Sequence, residues 1–315
     1  MKKVFLLITV CLAMIFSGCE SSETRITKQS FVFDTVVSIT ANEKDSEHIN
    51  KALQLCSDFE LTFSRTNPES ELYKLNNSDI VTLSENMRKV LEFSLNFSEM
   101  SDGAFDVTVE PLVSLWDVKN RKAPPTSSAI SEALKTVGYQ NISLEPFSAN
   151  NSTIDLGAIA KGYVADMMSD YFTSHNVRDV IIDLGGNVAV IGEFTVGIRN
   201  PSSPDEIFAS FTLKDKSAVT SGAYQRYFEY EGKTYHHIID PRTGYPSDSG
   251  IASVTVISPS SMQADAISTA IFISGEDAIS LCNEFPDTDA LIITNDQRIV
   301  TTDNFEERYK LQLIK

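Results

Sequence analysis

The sequence predicts one α+β domain, with helices mainly in its N-terminal half packed on antiparallel sheets. Three observations predict it. Apolar residues at helical spacing gather in the first half, runs rich in β-branched and aromatic residues with consecutive hairpins dominate from Asn151 onward, and strand and helix do not alternate as a doubly wound sheet requires.

The elements come in this order. Phe31–Thr40, FVFDTVVSIT, reads as a strand; Asp45–Phe63, with Ile49, Ala52, Leu53, Cys56 and Phe59 at helical spacing, reads as a helix that TNPES ends. Ser84–Met100 is a second helix, with Met87, Val90, Leu91 and Phe97 on one side. SDGAFDVTVEPLVSLW (101–116) opens in a turn and continues as an irregular apolar segment, KNRKAPPTSS is a surface loop, and Ser128–Val137 is a short helix. NSTID (151–155) reads as a short strand and LGAIAKGYVADMMSDYF (156–172) as a helix. DVIIDLGGNVAVIG (179–192) is strand, Gly-Gly-Asn turn, strand. Further strands are expected near 194–199, 207–213 and 224–239, then at 251–258 before a helix at about 261–274, and finally near 289–294 and 307–314.

The N-terminus reads as a targeting segment. Met1-Lys2-Lys3 is basic, Val4–Phe16 is apolar apart from Thr9, and Phe16-Ser17-Gly18-Cys19 resembles a bacterial lipobox. The expectation is a lipoprotein signal peptide over 1–18, lipidation of Cys19, a tether over 19–30 and the folded domain over 31–315. That puts the protein on the extracytoplasmic face of the cell membrane, held by its lipid. Of the four cysteines, Cys56 on the stripe Ala52–Cys56–Phe59–Phe63 and Cys282 in an apolar run read as separately buried thiols. The chain carries 26 Lys and Arg against 43 Asp and Glu; without Lys2 and Lys3, 24 basic residues face 43 acidic ones, a charge of −19. Such a balance argues against nucleic acid as a partner, and an anionic substrate would need a metal ion or a local lysine.

Four clusters carry chemistry. In DLGAIAKGYVAD (155–166) a strand ends at Asp155, a helix starts near Ala158, and Lys161 adds positive charge where a helix N-terminus favours anions; the plain alternative is a Gly-punctuated turn with a solvated lysine. In MQADAISTAIFISG (262–275) helical spacing puts Asp265, Ser268 and Thr269 on one side, a set of hard oxygens suited to Mg²⁺; the alternative is a carboxylate near a helix N-terminus with two hydroxyls bonded back to carbonyls. DLGGNVAVIG (183–192) reads as a hairpin turn, with close approach to a ligand as the lesser reading. HHIIDPRTGYP (236–246) packs His236, His237, Asp240 and Arg242 beside a Pro-x-x-Gly turn, more chemistry than a turn needs, and His236 is expected as an exposed strand histidine.

Taken together, FDTVVSIT, FSRTNPESELYKLN, DGAFDVTVEPLVSLW, DLGAIAKGYVAD, IIDLGGNVAVIG, VTSGAYQRYF, HHIIDPRTGYP and ADAISTA resemble, in the same order, segments of the ApbE family, the FAD:protein FMN transferases. The resemblance runs from about Phe31 to Phe272 and implies a T-fold-like domain. It further implies that FAD binds with Mg²⁺ at its diphosphate, that a Thr or Ser hydroxyl of a target protein attacks the FMN-side phosphorus, and that AMP leaves. Residue by residue it implies Asp265, Ser268, Thr269 and the Ala158 carbonyl for the metal. For the dinucleotide it implies Asp155, Lys161, Ala104, Phe105, Asp106 and the backbone near Ile239, with the Phe105 ring available to stack. His237 and Asp265 are its candidates for the base, with Asp240 either orienting His237 or fixing the turn. The chain departs from the family at Phe33, where Met is common, and at Thr66, where a Tyr often covers the flavin. Some members hydrolyse FAD to FMN and AMP, so an FAD pyrophosphatase is one alternative, and a non-catalytic flavin-binding lipoprotein is another. Acceptors in the family are flavin-carrying membrane redox subunits or secreted reductases.

Overall fold

The computed structural model describes residues 24–77 and 82–314, so the expected signal peptide and Cys19 lie outside the described residues. The first strand-like run is in fact a hairpin. Arg25–Val32 (β1) and Thr35–Asn42 (β2) pair antiparallel from Arg25↔Asn42 to Val32↔Thr35. Phe33 and Asp34 form its two-residue turn, both at positive φ (54° and 59°), the backbone hand that matches strand twist. This corrects the tether over 19–30: from Arg25 onward it is sheet. β1 is an edge strand whose outward side chains Arg25, Thr27 and Gln29 are polar, so the composition of its first part imitates a linker.

Four helices come next: Ser46–Phe63 (α1), Glu71–Asn77 (α2), Glu85–Met100 (α3) and Glu110–Trp116 (α4). Ser84 caps α3, accepting from the Met87 N–H at 3.2 Å. The segment 101–116, expected to be irregular, contains a short 3-10 turn and then α4, with Pro111 in its first turn. After Ser127–Ala133 (α5) and the small hairpin Ser143–Leu144 (β3) and Phe147–Ser148 (β4), NSTID is not a strand. The Asn76 side chain stands where a neighbouring strand would, donating to the Ile154 carbonyl and accepting from its N–H, each at 2.8 Å. The helix expected from Ala158 begins later, as Ala160–Ser174 (α6).

The second half builds the sheet. Val180–Leu184 (β5) and Asn187–Ile191 (β6) form the expected hairpin; Glu193–Asn200 (β7) and Ser203–Lys214 (β8) form another. Ser217–Gly222 (β9) was not anticipated, and the run 224–239 resolves into the hairpin Tyr227–Tyr230 (β10) and Lys233–His236 (β11) followed by a loop. Ile251–Ser258 (β12), Ser261–Ser274 (α7), Asp289–Thr294 (β13) and Ile299–Thr301 (β14) come after it. The expected strand 307–314 is half helix, Phe305–Tyr309 (α8), and then Gln312–Leu313 (β15). Phe305 and Tyr309 are four residues apart, a helical spacing that buries both rings in one cluster.

The main sheet is antiparallel, in the order β1-β2-β5-β6-β9-β12-β13-β14. Its strands divide their side chains between two cores. Ala189, Ile191, Val254, Val256 and Ile292 face α1, α3, α6 and α7, while Val190, Ile257, Leu291 and Ile293 face the three-stranded sheet β15-β8-β7 and α8. Both faces are covered, which is why β13 reads DALIIT with no polar alternation. α7 is apolar nearly all round because α6 and the sheet enclose it. Cys56 and Cys282 are free, buried thiols, both pushed up to about 12 by burial first.

Candidate active site

A cleft of about 1580 Å³ opens where the β1–β2 turn, the loop before α6, the β5–β6 turn, the segment after β11 and one side of α7 converge. It gathers nearly every residue the sequence singled out. Phe33, Thr66 and Ala104–Asp106 line it, as do Asp155, Ala158 and Lys161; so do His237, Ile239, Asp265 and Thr269.

The helices α6 and α7 cap each other. Asp166 of α6 accepts from the Ser261 N–H (2.6 Å), the Met262 N–H (3.1 Å) and the Ser260 hydroxyl (2.7 Å) at the start of α7. Asp265 of α7 in turn accepts at Oδ2 from the Gly162 N–H in the first turn of α6, at 3.0 Å. Each carboxylate satisfies N–H groups that a helix start leaves without partners. Burial holds the Asp166 carboxyl above its usual range. Gly162 is required by the contact itself, since a Cβ there would overlap the Ser261 carbonyl.

Asp265 is 4% exposed, and the Lys161 ammonium stands 3.7 Å from its Oδ2 and 3.0 Å from the Gly157 carbonyl. Thr269 donates back to the Asp265 carbonyl at 3.2 Å. Ser268 differs. It is fully buried, donates to the Asp265 carbonyl at 3.0 Å, lies 2.9 Å from the Ser221 hydroxyl, and does not line the cleft. One step along a helix turns a side chain by about 100°, so Thr269 reaches the cleft and Ser268 the core; we leave Ser268 out of the ligand set.

Asp155 sits in a tight turn. Its Oδ1 accepts from the Gly157 N–H at 2.6 Å, and its Oδ2 meets Arg65 Nε at 2.9 Å. Arg65, from the loop after α1, was not singled out by sequence; nothing in a polar loop marks which acid an arginine will meet.

The two histidines part company. His236, expected to be exposed, is buried: its Nε2–H donates to the Ser247 carbonyl at 2.9 Å and its ring stands edge-on to Phe272. Burial lowers its basicity. His237 points into the cleft, and its Nδ1–H donates to the Arg226 carbonyl at 3.2 Å, which leaves Nε2 as the proton acceptor. Burial first, then charge on the neighbouring His236, Arg226 and Lys161, push His237 down to about 4. Asp240 does not orient it. Both its oxygens face Arg242, at 2.9 and 3.0 Å, and its carbonyl accepts the Gly244 N–H at 2.8 Å, so it fixes the turn. That turn docks on α4 through the Trp116 indole N–H, 2.8 Å from the Gly244 carbonyl.

Two expectations at 104–106 need correction. The Phe105 ring is 2% exposed and packs edge-on against Phe97, so it cannot lie flat on a planar ring. The Asp106 carboxylate accepts from the Thr108 N–H (2.7 Å), the Thr108 hydroxyl (2.6 Å) and the Tyr139 N–H (2.8 Å). It is occupied by the fold, and burial raises its pKa.

The ApbE family model matches residues 33–292. The chain belongs to the ApbE family. Relatives agree: an FAD:protein FMN transferase of Treponema pallidum is 34% identical over 84% of this chain and 81% of its own length. One of Klebsiella pneumoniae is 34% identical over 81% of this chain and 85% of its own. The crystal structure of the ApbE protein of Thermotoga maritima superposes with a TM-score of 0.81 at 30% identity, covering 90% of this chain and 99% of that one. The flavin transferase ApbE of Vibrio cholerae shares the fold, with a TM-score of 0.79 at 22% identity over 90% of this chain and 99% of that one.

For an ApbE-family cleft the remaining question is whether these residues fit a divalent cation. Among the described residues no group of three or more His, Cys, Asp or Glu is placed to hold one. Asp265, Thr269 and Ala158 line the cleft and would offer hard oxygens: a carboxylate, a hydroxyl and a backbone carbonyl. A single carboxylate with neutral oxygens fits Mg²⁺, which keeps waters and takes substrate phosphate as a ligand.

Proposed function

We propose that this chain transfers the FMN half of FAD to a Thr or Ser hydroxyl of an acceptor protein and releases AMP. The observation that carries this reading is the meeting of His237, Lys161, Asp265 and Thr269, from three distant segments, in one cleft of an ApbE-family domain.

The residues supply the chemistry. The acceptor oxygen forms a bond to the FMN-side phosphorus while the bond from that phosphorus to the bridging oxygen breaks, and AMP departs with the electron pair. The hydroxyl proton goes to Nε2 of His237, which is neutral at physiological pH because the cleft disfavours its charged form. Lys161 brings positive charge to the diphosphate from the first turn of α6. Bound Mg²⁺, held by Asp265, Thr269 and the Ala158 carbonyl, would offset the diphosphate charge. Asp155, braced by Arg65, holds the turn that presents the Ala158 carbonyl. The net −17 of the chain is thus no obstacle, since compensation is local. We also propose an extracytoplasmic location, anchored through acylated Cys19, with a membrane redox subunit or a secreted reductase as acceptor.

Incubation of the purified protein with FAD, Mg²⁺ and a flavin-acceptor protein tests the reaction. A UV-fluorescent acceptor band on a denaturing gel, with equimolar AMP, is the expected result. Free FMN and AMP without labelled acceptor would assign hydrolysis instead, and neither product would remove both activities. Cys19→Ser should move the protein from the membrane to the soluble fraction; an unchanged distribution would remove the anchor.

A further inference from the structure

One buried side-chain nitrogen in the cleft has no hydrogen-bond partner among the described residues. Asn187 opens β6 directly after the Gly185-Gly186 turn, lines the cleft, is 2% exposed, and has a buried Nδ2 with no hydrogen-bond partner. Folded proteins contain few such groups, and each calls for a ligand, an ion or a water as its partner. The turn does not need the asparagine, because the glycines carry the positive φ angles of 66° and 110°. Nor does the strand, since asparagine is a poor strand former and an apolar residue would fill a buried position better.

The sheet register says what Asn187 faces. It stands opposite Val219 of β9, and Ser221, two residues on, shares that face. The Ser221 hydroxyl lies 2.9 Å from that of Ser268 and 3.5 Å from that of Thr269. Asn187 therefore looks toward the turn of α7 that carries Asp265 and Thr269, where the charge of a dinucleotide diphosphate would gather.

We infer that Asn187 is a diphosphate-binding residue, whose side-chain amide donates to a non-bridging phosphate oxygen of FAD from the sheet side of the cleft. The inference rests on the reading of this cleft as an FAD site. An N–H donor to a charged oxygen is stronger than one to a neutral acceptor, so the anion is favoured over the rim of the flavin ring.

Titrations of the full-length protein, Asn187→Ala and Asn187→Ser with FAD, ADP and riboflavin in Mg²⁺ test it, alongside melting of each protein without ligand. Asn187→Ala should weaken FAD and ADP alike by about 10- to 100-fold and leave riboflavin and the melting temperature unchanged. Asn187→Ser, which keeps a donor, should recover part of the loss. Unchanged FAD and ADP affinity in Asn187→Ala would overturn the inference and make water the partner. A lowered melting temperature with equal loss of all three ligands would make the residue structural. Wild-type protein that took up neither FAD nor ADP would remove the parent reading, and this one with it.

Discussion

The tripeptide Asp-Leu-Gly occurs twice in the cleft wall, at 155–157 and 183–185, and the two copies diverge at the next residue. Each begins alike: Asp155 Oδ1 accepts the Gly157 N–H at 2.6 Å, and Asp183 Oδ1 accepts those of Gly185 and Gly186 at 2.9 and 3.3 Å. Ala-Ile-Ala-Lys then leads into α6, and Gly-Asn-Val-Ala-Val into β6. Gly157 has no positive φ, and a Cβ on it would meet chiefly the movable Asp155 carboxylate, at 2.8 Å. Gly185 has φ 66°, and a Cβ there would run into the Thr35 hydroxyl. The helical copy carries side-chain charge, through Arg65 and Lys161; the strand copy carries backbone and one amide. The aspartate makes the turn in both places, and the element entered after the glycine decides how the turn is used.

The sharpest break of this comparison is on the helical side. Asp265→Asn keeps an oxygen for the Gly162 N–H but removes the charge, so transfer should fall at least about 100-fold while the melting temperature holds. Asp265→Ala should add about 1 kcal/mol of destabilisation from the lost cap, read by denaturant unfolding. Gly162→Ala should cost about 3 kcal/mol, because its Cβ must push α7 away from α6; a thermal melt within a degree of wild type would contradict the contact. The glycines sharpen the comparison directly. Gly185→Ala should cost about 2 kcal/mol and Gly157→Ala no more than about 0.5, a difference chemical denaturation can read.

Subtler still, Asp155→Asn and Asp183→Asn both keep their turns, but only the first loses an ion pair. FAD affinity should fall about threefold in the first and stay level in the second. His237, outside both copies, is the control. Its pKa is depressed from the reference 6.5 to about 4, so the proton-accepting form prevails above that pH. Transfer should stay level from pH 8 to 6 and drop to half near pH 4. The stability His237 contributes is whole above the unfolded pKa and is lost as pH falls from 6.5 toward 4. A midpoint of activity near 6.5 would show that the cleft leaves the imidazole solvated.

Most of the candidate site lies in short segments that the family resemblance singled out, and the fold brings those segments to one cleft. The residues alone left a structural alternative open for Lys161 and for Asp265, and Asp265 does serve one, capping α6 through the Gly162 N–H. What was not legible came from residues that look ordinary alone. Arg65 sits in a polar loop, Ser221 in a strand the periodicity missed, and Asn187 in a hairpin whose glycines drew the eye. Phe105 misled for the opposite reason: an aromatic in a binding segment suggests stacking, but Phe97 already holds its ring. The fold erred chiefly at edges, where β1 resembles a linker and Asn76 replaces a strand.

The amino-acid order alone determined the α+β class, most elements of regular structure, the family resemblance and the inventory of acids, hydroxyls and bases. Tertiary structure decided which of those groups meet. Neighbouring residues on an extended chain point to opposite sides, so one of two adjacent histidines enters the core against Phe272 and the other the cleft. The same holds on α7, where Ser268 and Thr269 differ by one step and part between core and solvent. Local sequence carries the period of a helix or strand, but its phase is set by what packs against it.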